Sequence, residues 1–446
     1  TWRDALRSNN LCRKRYYESN LLYLNFIFHF NRNFILKLSG WGKYPIKNTE
    51  VLKPKNIKEL IDTLNGDQLI ARGNGRSYGD SSIGISKTID MKNFNKIISF
   101  NNKEGYLIAE SGVILQDIIK KTLPNGWFPY VTPGTKFATL GGMIAADVHG
   151  KNHHKDGNFS NFVKWIELVN SKGELIRCSK NENSEIFEWT MGGMGLTGII
   201  LKAAIKLRSI STGWIKQKII ATKNLDETIN LFETNESATY SVAWVDCFQK
   251  KGKHIGRSIF TIGEHASLED LNKNKKKDPF KVSKKINFTM PFHLPSWSLN
   301  NWTIKIFNSI YYWLNKRKKT NNLIDWDSYF YPLDKILEWN KMYGRKGFAQ
   351  YQCVIPKENS RNGLLEILET MCETKIGSFL TVLKKFGPEQ GKFSFPMDGY
   401  TIAMDFPINN KTLSLMNRLD EITSKYGGRI YLAKDSRMSK ETLFET

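Results

Sequence analysis

The stretch from residue 133 to residue 154 constrains this chain more than any other, because it combines features that seldom occur together. Its glycines allow a ligand to approach the backbone closely, or allow a positive φ. Small and apolar residues follow, and titratable side chains then crowd the end of the stretch, at His149, Lys151, His153 and His154. Such a run is typical of the wall of a large cofactor site. A buried turn followed by an exposed basic loop is the alternative.

A second glycine-rich stretch lies upstream. Residues 69–71 form a short apolar run that predicts a strand, and they lead into a loop at 72–80 with glycines at 73, 75 and 79. Exposed backbone N–H groups in a tight turn can bind an anion, and Arg72 and Arg76 add positive charge suited to a diphosphate. Two such loops in the first 155 residues favour a nucleotide-type cofactor.

A third glycine run, at 193–198, fits the pattern G-x-G-x-x-G. That pattern marks a dinucleotide site only where a strand precedes it and a helix follows it. Here residues 199–208 alternate between apolar and basic, which predicts a strand, and residues 186–190 predict a helix. We therefore reject a nicotinamide-type Rossmann site.

These motifs resemble the FAD-binding domain of the vanillyl-alcohol-oxidase type of flavoenzymes and, within that superfamily, the decaprenylphosphoryl-β-D-ribose 2′-oxidases. The resemblance runs from about residue 40 to the last residue. It is carried by the stretches 72–80, 133–154, 195–200, 350–356, 385–388, 394–396, 404–407 and 431–437. It implies an α+β fold with two domains, an FAD-binding domain and a substrate domain built on an antiparallel sheet.

The chain has 446 residues, and two domains are the default for that length. We divide it into an N-terminal extension of unclear structure (1–38), the FAD-binding domain (39–211), a substrate domain with a basic and aromatic loop (212–428), and a segment that returns to the FAD-binding domain (429–446). The resemblance implies a further short helical segment beyond this, so we expect a shortened C-terminus.

The resemblance implies a set of cofactor contacts. The diphosphate would lie against Ala71, Arg72, Gly73, Asn74, Gly75, Arg76, Ser77, Tyr78, Gly79, Asp80 and Ser81. The ribityl chain and the ring would follow Gly134, Thr139, Leu140, Gly141, Gly142, Ala146, Asp147, Val148 and His149. Ile200 would lie by the adenine and Tyr431 beside the isoalloxazine, with Gly198 completing the set. Covalent members of the superfamily often carry His where this chain has Arg76, so we expect non-covalent FAD.

The resemblance also implies that Lys434 is catalytic, because a cation against the flavin would favour acceptance of a hydride. A surface salt bridge of Lys434 with Asp435 or Glu441 is the alternative. The general base is not evident. The intrinsic pKa of His149 suits this role, although His149 could instead contact only the cofactor. The substrate side would be lined by Tyr78, Lys151, Gln352, Lys384 and Lys434.

The function implied is FAD-dependent oxidation of the ribose C2 hydroxyl of a polyprenyl-phosphoribose to a 2-keto sugar. A separate NADH-dependent short-chain reductase would complete epimerisation to the arabinose donor for cell-envelope polysaccharide. The runner-up is an aldonolactone or alditol oxidase of the same fold that acts on a soluble sugar, such as a D-arabinono-1,4-lactone oxidase. A hypothesis from a different functional class is a non-enzymatic basic protein that binds nucleic acid or an acidic membrane. If the chain is the oxidase, we expect no nucleic-acid partner.

The net charge of +23 favours an anionic partner, although a genome-wide bias towards lysine would also explain it. Aromatic and apolar residues at 290–314, among them Trp297 and Trp302, are followed by a basic cluster at 316–319. This pattern is typical of a membrane interface, and a core helix with a basic cap is the alternative. Residues 1–38 contain neither the ~20 apolar residues of a membrane span nor a clear signal peptide. We expect peripheral membrane association.

The cysteines Cys12, Cys178, Cys247, Cys353 and Cys372 are scattered and odd in number. No C-x-x-C pair occurs, which argues against a disulfide framework or a structural zinc site. We expect reduced, mostly buried thiols and no metal.

Overall fold

The computed structural model describes residues 35–64, 66, 68–248, 254–282, 287–295, 298–317, 321–389, 391–393 and 395–445. Several features considered in the sequence lie outside these residues. They are the N-terminal extension up to residue 34 with its Cys12, the tryptophan at 297, and the lysines at 318 and 319.

The described part of the chain starts with a four-stranded sheet that carries the first glycine loop. Its strands are β1 (Ile35–Ser39), β2 (Ile46–Leu52), β3 (Leu69–Arg72) and β4 (Lys87–Asp90), in the order β1-β2-β4-β3. Helix α1 (Ile57–Asp62) precedes β3 and starts where the side chain of Asn56 accepts a hydrogen bond from the Glu59 amide. The predicted strand at 69–71 is thus confirmed.

A six-stranded sheet follows. It contains β5 (Ile97–Asn101), β6 (Tyr106–Glu110), β7 (Trp127–Pro129), β8 (Val163–Val169), β9 (Leu175–Ser179) and β10 (Ile199–Ser209), in the order β5-β6-β10-β8-β9 with β7 beside β10. Its helices are α2 (Leu115–Thr122), α3 (Leu140–Ala145), α4 (His153–Asp156) and α5 (Ser184–Thr190). The third glycine run therefore follows a helix and precedes the strand β10, which confirms the rejection of a Rossmann site.

The third sheet contains eight antiparallel strands. They are β11 (Trp214–Thr222), β12 (Tyr240–Val245), β13 (Ser258–His265), β15 (Asn321–Asp325), β17 (Phe348–Pro356), β18 (Thr381–Phe386), β19 (Gly399–Pro407) and β20 (Arg429–Ile430). Their order is β15-β11-β13-β12-β18-β19-β17-β20, and β14 (Phe288–Thr289) pairs separately with β16 (Ile336–Leu337). The expected α+β architecture, in which an antiparallel sheet forms the second part of the chain, is confirmed.

The helices of this part are α6 (Leu225–Thr234), α7 (Lys273–Lys276), α8 (Asn301–Lys316), α9 (Trp326–Phe330), α10 (Lys357–Thr374), α11 (Asn410–Lys425) and α12 (Lys440–Glu445). Helices α6, α10 and α11 pack on one face of the third sheet and share its apolar core. The other face is directed towards a large cavity and helix α8. Because successive side chains of a strand point to opposite faces, alternate residues of each strand line this cavity.

Helix α8 carries apolar residues on two opposite faces. Its inner face buries Ile304 and Asn308, whereas Trp302 on the outer face is 76% exposed. The outer face also presents Ile306, Ile310 and Trp313, and Phe307 and Leu314 are partly exposed at its edge. In the part of the chain that the structure describes, no helix has the length and apolar character needed to cross a bilayer.

Strand β20 ends at Ile430, and the amides of Lys434 and Asp435 then hydrogen-bond to the Tyr431 carbonyl in a turn. The lysine-rich run at 271–278 contains the short helix α7. Ser439 caps α12 by accepting a hydrogen bond from the Thr442 amide. The prediction of buried, reduced thiols is confirmed at Cys178, Cys247 and Cys353.

Candidate cofactor and substrate site

A cavity of about 1030 Å³ lies between the two glycine loops and the open face of the third sheet. Its volume is at the upper end of the range for small-molecule and cofactor sites, roughly 300–1,000 Å³. The predicted site residues that line it are Ala71, Gly73, Asn74, Gly75, Arg76, Ser77, Tyr78, Ser81, Gly134, Thr139, Gly141, Gly142, Ala146, Val148, His149, Lys151, Gly198, Ile200, Gln352, Lys384, Tyr431 and Lys434. Two glycine loops and distant strands are therefore brought together in one site.

The first glycine loop is shaped by close packing at two of its glycines. A Cβ at Gly73 would overlap Oγ1 of Thr139, and Gly75 has a φ of +60°, in the left-handed region that favours glycine. A Cβ at Gly75 would also overlap the guanidinium of Arg72. The backbone of the loop can therefore lie directly against a ligand in the cavity.

Three predicted residues of this loop support it instead of lining the cavity. The guanidinium of Arg72 donates to the Ser39 carbonyl at 2.7 Å and to Ser82 Oγ at 3.1 Å, so its charge is not directed at a diphosphate. Asp80 forms an ion pair with Lys47 at 2.6 Å. Gly79 packs so closely against the Asp435 carbonyl that a Cβ there would overlap it.

The second glycine loop starts helix α3. Oγ1 of Thr139 accepts a hydrogen bond from the Gly142 amide at 3.3 Å, and Gly141 packs against Ser111, whose Cβ would lie 2.8 Å from an added methyl group. Leu140 was predicted to contact the cofactor, but it is fully buried in the core of the six-stranded sheet. Helix α3 therefore has two different faces, with Gly141 and Gly142 at the cavity and Leu140 in the core.

Asp147 was also predicted to contact the cofactor, and it does not line the cavity. Its buried carboxylate accepts from Asn158 Nδ2 at 2.8 Å, from the Ser160 amide at 2.9 Å and from Ser160 Oγ at 3.0 Å. Burial raises the pKa of this carboxyl to about 7, against the lowering effect of these hydrogen bonds. Because its φ is +35°, Asp147 fixes the turn that directs Val148 and His149 into the site.

The residues present fit an FAD diphosphate and ribityl chain. Three buried polar atoms that face the cavity, Arg76 Nε, Ser81 Oγ and Ser111 Oγ, have no hydrogen-bond partner within the described part of the chain. Buried polar groups of this kind are normally paired, so they indicate a polar ligand. The guanidinium of Arg76 is held 4.2 Å from the centre of the Trp41 ring, which leaves it beside the glycine loop.

An aromatic wall closes the far end of the cofactor slot. The Tyr431 hydroxyl donates to the Ala146 carbonyl at 2.8 Å, which ties the end of the third sheet to the second glycine loop. The Tyr431 ring stacks on Phe395 with centroids 4.5 Å apart and lies 5.4 Å from the His149 ring. A flat apolar wall with this geometry suits the ring system of a flavin.

His149 is the centre of a polar cluster beside that wall. Its Nε2 lies 3.1 Å from Gln352 Nε2, and its Nδ1 lies 3.3 Å from Lys384 Nζ. Burial lowers the pKa of His149 well below its usual range, and the nearby Lys384 lowers it further. The imidazole is therefore neutral at pH 7.

Three lysines with lowered pKa values share this part of the cavity. Burial lowers the pKa of Lys384 to about 8, and burial together with Lys384 lowers that of Lys151 to about 7. Nζ of Lys151 lies 4.2 Å from the centre of the Tyr329 ring and donates to the Tyr329 carbonyl. An anion beside these lysines would favour their charged forms, so the cluster suits an anionic substrate.

Lys434 is the third of these lysines, and it faces the cavity from the turn that follows β20. Burial lowers its pKa to about 7, although Asp405 acts in the opposite direction. Burial raises the pKa of Asp405 to about 7, and the carboxylate accepts from Gln350 Nε2 at 2.5 Å. The surface salt bridge considered as an alternative for Lys434 does not fit this buried position.

Sequence reasoning missed several cavity residues, including Ser111 and Gln350. Gln350 lies two residues before Gln352 on β17, and residues two apart on a strand share a face. That spacing could have identified it. Ser111 is aligned with Gly141 only by the packing of two segments, and the sequence holds no signal for that contact.

Away from this polar cluster the lining is largely apolar, although Gln217, Thr261 and Asn322 of the third sheet also belong to it. The cavity is bounded there by Val382, Trp244 and Ile259 of the third sheet and by Phe307 and Tyr311 of helix α8. The site therefore combines a glycine-lined slot, a cluster of basic groups and an apolar extension.

Comparison with known proteins agrees with this geometry. Residues 49–179 match a family model described as an FAD binding domain. Decaprenylphosphoryl-beta-D-ribose oxidase of Mycolicibacterium smegmatis is 36% identical over 419 residues, covering 91% of this chain and 90% of the relative. An uncharacterised protein of Streptomyces coelicolor is 27% identical over 74% of this chain and 91% of its own length, and cytokinin dehydrogenase 5 of Arabidopsis thaliana is 30% identical over 38% of this chain and 33% of its own.

The similarity to the mycobacterial oxidase extends through both domains, whereas the similarity to the cytokinin dehydrogenase covers about a third of either chain. The family model spans both glycine loops and, with the unpaired polar atoms at the cavity, agrees on FAD as the cofactor. The chain therefore belongs to the decaprenylphosphoryl-β-D-ribose oxidase family of FAD-dependent oxidoreductases.

Proposed function

We propose that this protein oxidises the C2 hydroxyl of the ribose in a polyprenyl-phosphoribose to a ketone. The observation that carries the proposal is the position of the basic cluster of Lys151, Lys384 and Lys434, between the cofactor slot and the apolar extension of the same cavity. In a polyprenyl-phosphoribose the sugar, the phosphate and the prenyl chain follow one another in the same order. The sugar would lie at the cofactor slot, the phosphate at the basic cluster and the prenyl chain in the apolar extension. The mycobacterial relative is named for such a substrate.

Oxidation at C2 removes a hydride equivalent, which bound FAD would accept, and the hydroxyl proton, and it leaves a carbonyl. We assign the proton to His149, because burial keeps its imidazole neutral and able to receive one. Gln352 and Lys384 contact its two ring nitrogens and would fix the orientation of the ring. To receive the proton, one ring nitrogen would exchange its contact with Gln352 or Lys384 for a contact with the substrate hydroxyl.

We assign to Lys434 the role of a cation beside the flavin. Its Nζ is buried and lies over the ring of Tyr78. A positive charge at this place would stabilise the negative charge that the flavin gains when it accepts the hydride. Lys151 and Lys384 would bind the phosphate, since an anion beside them favours the charged form of both ammonium groups.

The product of this reaction, a 2-keto sugar on a lipid phosphate, would be reduced by a separate NADH-dependent short-chain reductase. Reduction from the opposite face would give the arabinose epimer. We propose this reductase as a functional partner because the chain itself, within the described residues, has no Rossmann-type glycine run between a strand and a helix.

We further propose that the outer face of α8 rests on an anionic membrane. Trp302, Ile306 and Ile310 form an exposed apolar stripe, and Lys305 and Arg317 lie at its borders. Aromatic and aliphatic residues with flanking cations are typical of helices that lie in a bilayer interface. The net charge of +23 adds a long-range attraction to acidic lipids.

The test is a single-turnover experiment with the purified protein loaded with FAD. Lipid-linked phosphoribose is expected to bleach the flavin band at ~450 nm, and mass spectrometry should show a product lighter by two hydrogens. A free aldonolactone and a free alditol serve as the comparison. Bleaching by these soluble compounds alone would overturn the proposal in favour of an aldonolactone or alditol oxidase.

A further inference from the structure

We propose that the prenyl chain of the substrate lies in an apolar channel that crosses the third sheet beneath helix α8. This inference rests on the proposed function and adds to it the place where the lipid part of the substrate is recognised. The channel runs from Gln352, beside His149, to Ile259.

One row of the sheet forms the floor of this channel. Cross-strand pairs join Gln352 to Ala403, Ala403 to Val382, Val382 to Trp244 and Trp244 to Ile259. All five residues line the cavity, so they share one face of the sheet. Four spacings between neighbouring strands, each about 4.8 Å, give a path of about 19 Å.

The polarity of this row changes once. Gln352 is polar and hydrogen-bonded in the His149 cluster, and the next four residues are apolar. The indole N–H of Trp244 donates to the Phe379 carbonyl at 3.0 Å, so it needs no partner from a ligand. A surface with its polar groups already satisfied favours a hydrocarbon over a sugar.

Helix α8 forms one wall of the channel. The Tyr311 ring packs directly on that of Trp244, with ring centroids 4.6 Å apart, so the prenyl chain would pass beside this contact and not between the two rings. Phe307 lines the cavity one turn earlier. The helix is anchored by the buried Asn308, whose Nδ2 donates to Asp246 Oδ1 at 3.0 Å. This wall is therefore held at a fixed place above the sheet.

Phe307 connects the channel to the membrane-facing stripe. It lines the cavity, and 45% of its surface is nevertheless exposed beside the outer face of α8. The mouth of the channel therefore opens next to Ile306 and Ile310. A prenyl chain anchored in a bilayer could enter here without crossing water, which would be unfavourable for so much apolar surface.

The test compares phosphoribose esters that carry one, two or three isoprene units, each used below its micelle concentration. Apparent dissociation constants come from flavin bleaching in single turnovers. In the wild-type protein, affinity should rise about tenfold or more with each unit, because each buries several CH₂ or CH₃ groups. The ratio of affinities for the longest and the shortest ester is the quantity compared.

Ile259→Asn and Val382→Thr should lower this ratio at least tenfold. Val382→Thr keeps the shape of the side chain, so it serves even if Ile259→Asn fails to fold. Trp189→Gln, on α5 and outside the cavity lining, should keep the wild-type ratio. An unchanged ratio in Val382→Thr overturns the channel while the proposed function stands. No bleaching by any ester in the wild-type protein overturns the proposed function, and the channel with it.

Discussion

The ammonium of Lys434 lies 3.8 Å from the centre of the Tyr78 ring, although the two residues belong to opposite ends of the chain. The Tyr78 amide donates to the Ala433 carbonyl at 3.1 Å, so the first glycine loop and the last turn are joined by backbone as well as by side chain. Close packing of Gly79 against Asp435 makes this junction possible. The cation is thereby held over the cofactor slot.

The first prediction concerns the charge of Lys434. Lys434→Ala should slow flavin reduction by lipid-linked phosphoribose roughly 100-fold, the order expected when one preorganised charge is lost from a site. Since the pKa of Lys434 is about 7, the wild-type rate should fall as pH rises from 6 to 8.5 and the ammonium is deprotonated. Stopped-flow bleaching measures both effects.

Lys434→Arg is the matched control for that pH dependence. A guanidinium stays charged through this pH range, so the fall in rate above pH 7 should disappear or move to higher pH. If the alanine variant keeps the wild-type pH profile, the titrating group is not Lys434.

The second prediction concerns the hydrogen bonds that hold His149. Gln352 Nε2 contacts both His149 Nε2 at 3.1 Å and Thr401 Oγ1 at 3.2 Å. Gln352→Leu should slow flavin reduction about tenfold, corresponding to roughly 1.4 kcal/mol, because the imidazole loses a partner that orients it. FAD affinity should change little, and a large loss of bound flavin would instead assign Gln352 to the cofactor site.

The third prediction compares two cavity glycines in the FAD-free protein. A methyl group at Gly73 would overlap Thr139, whereas no atom of the described chain lies within 4 Å of one at Gly134. Gly73→Ala should lower the free energy of unfolding by about 1–3 kcal/mol, the cost of overpacking, and Gly134→Ala should not. Thermal unfolding measures the difference between the two variants. Equal changes in the free energy of unfolding would show that the first glycine loop accommodates a methyl group without strain.

The fourth prediction concerns the attachment of the cofactor. Arg76 occupies the position where covalent relatives carry a histidine, and a guanidinium forms no bond to the flavin ring. Acid denaturation followed by centrifugation should leave the yellow colour in the supernatant. A yellow protein pellet would contradict non-covalent binding.

The fifth prediction concerns the outer face of α8. Trp302→Gln should reduce co-sedimentation with vesicles that contain phosphatidylglycerol by about tenfold, because a large exposed aromatic side chain is lost from the interface. Trp189→Gln on α5, where 42% of the tryptophan is exposed, is the matched control and should bind as wild type. Equal binding of both variants would place the membrane contact elsewhere.

The sequence by itself determined the local structure around the glycine loops. Alternation at 199–208 predicts strand β10, and the apolar run at 69–71 predicts strand β3, because burial of one face fixes the periodicity of a strand. The glycines at 73 and 75 indicate close backbone approach for the same local reason. FAD as the cofactor followed from these motifs and from the resemblance that they carry.

Only the tertiary structure decided which charges face the ligand. Arg72 and Arg76 are equivalent in the sequence, yet Arg72 is hydrogen-bonded to Ser39 and Ser82 while Arg76 lies at the cavity. The row from Gln352 to Ile259 likewise depends on the register of five strands that are far apart in the chain. Strand register and side-chain direction are set by long-range packing, which local sequence patterns do not encode.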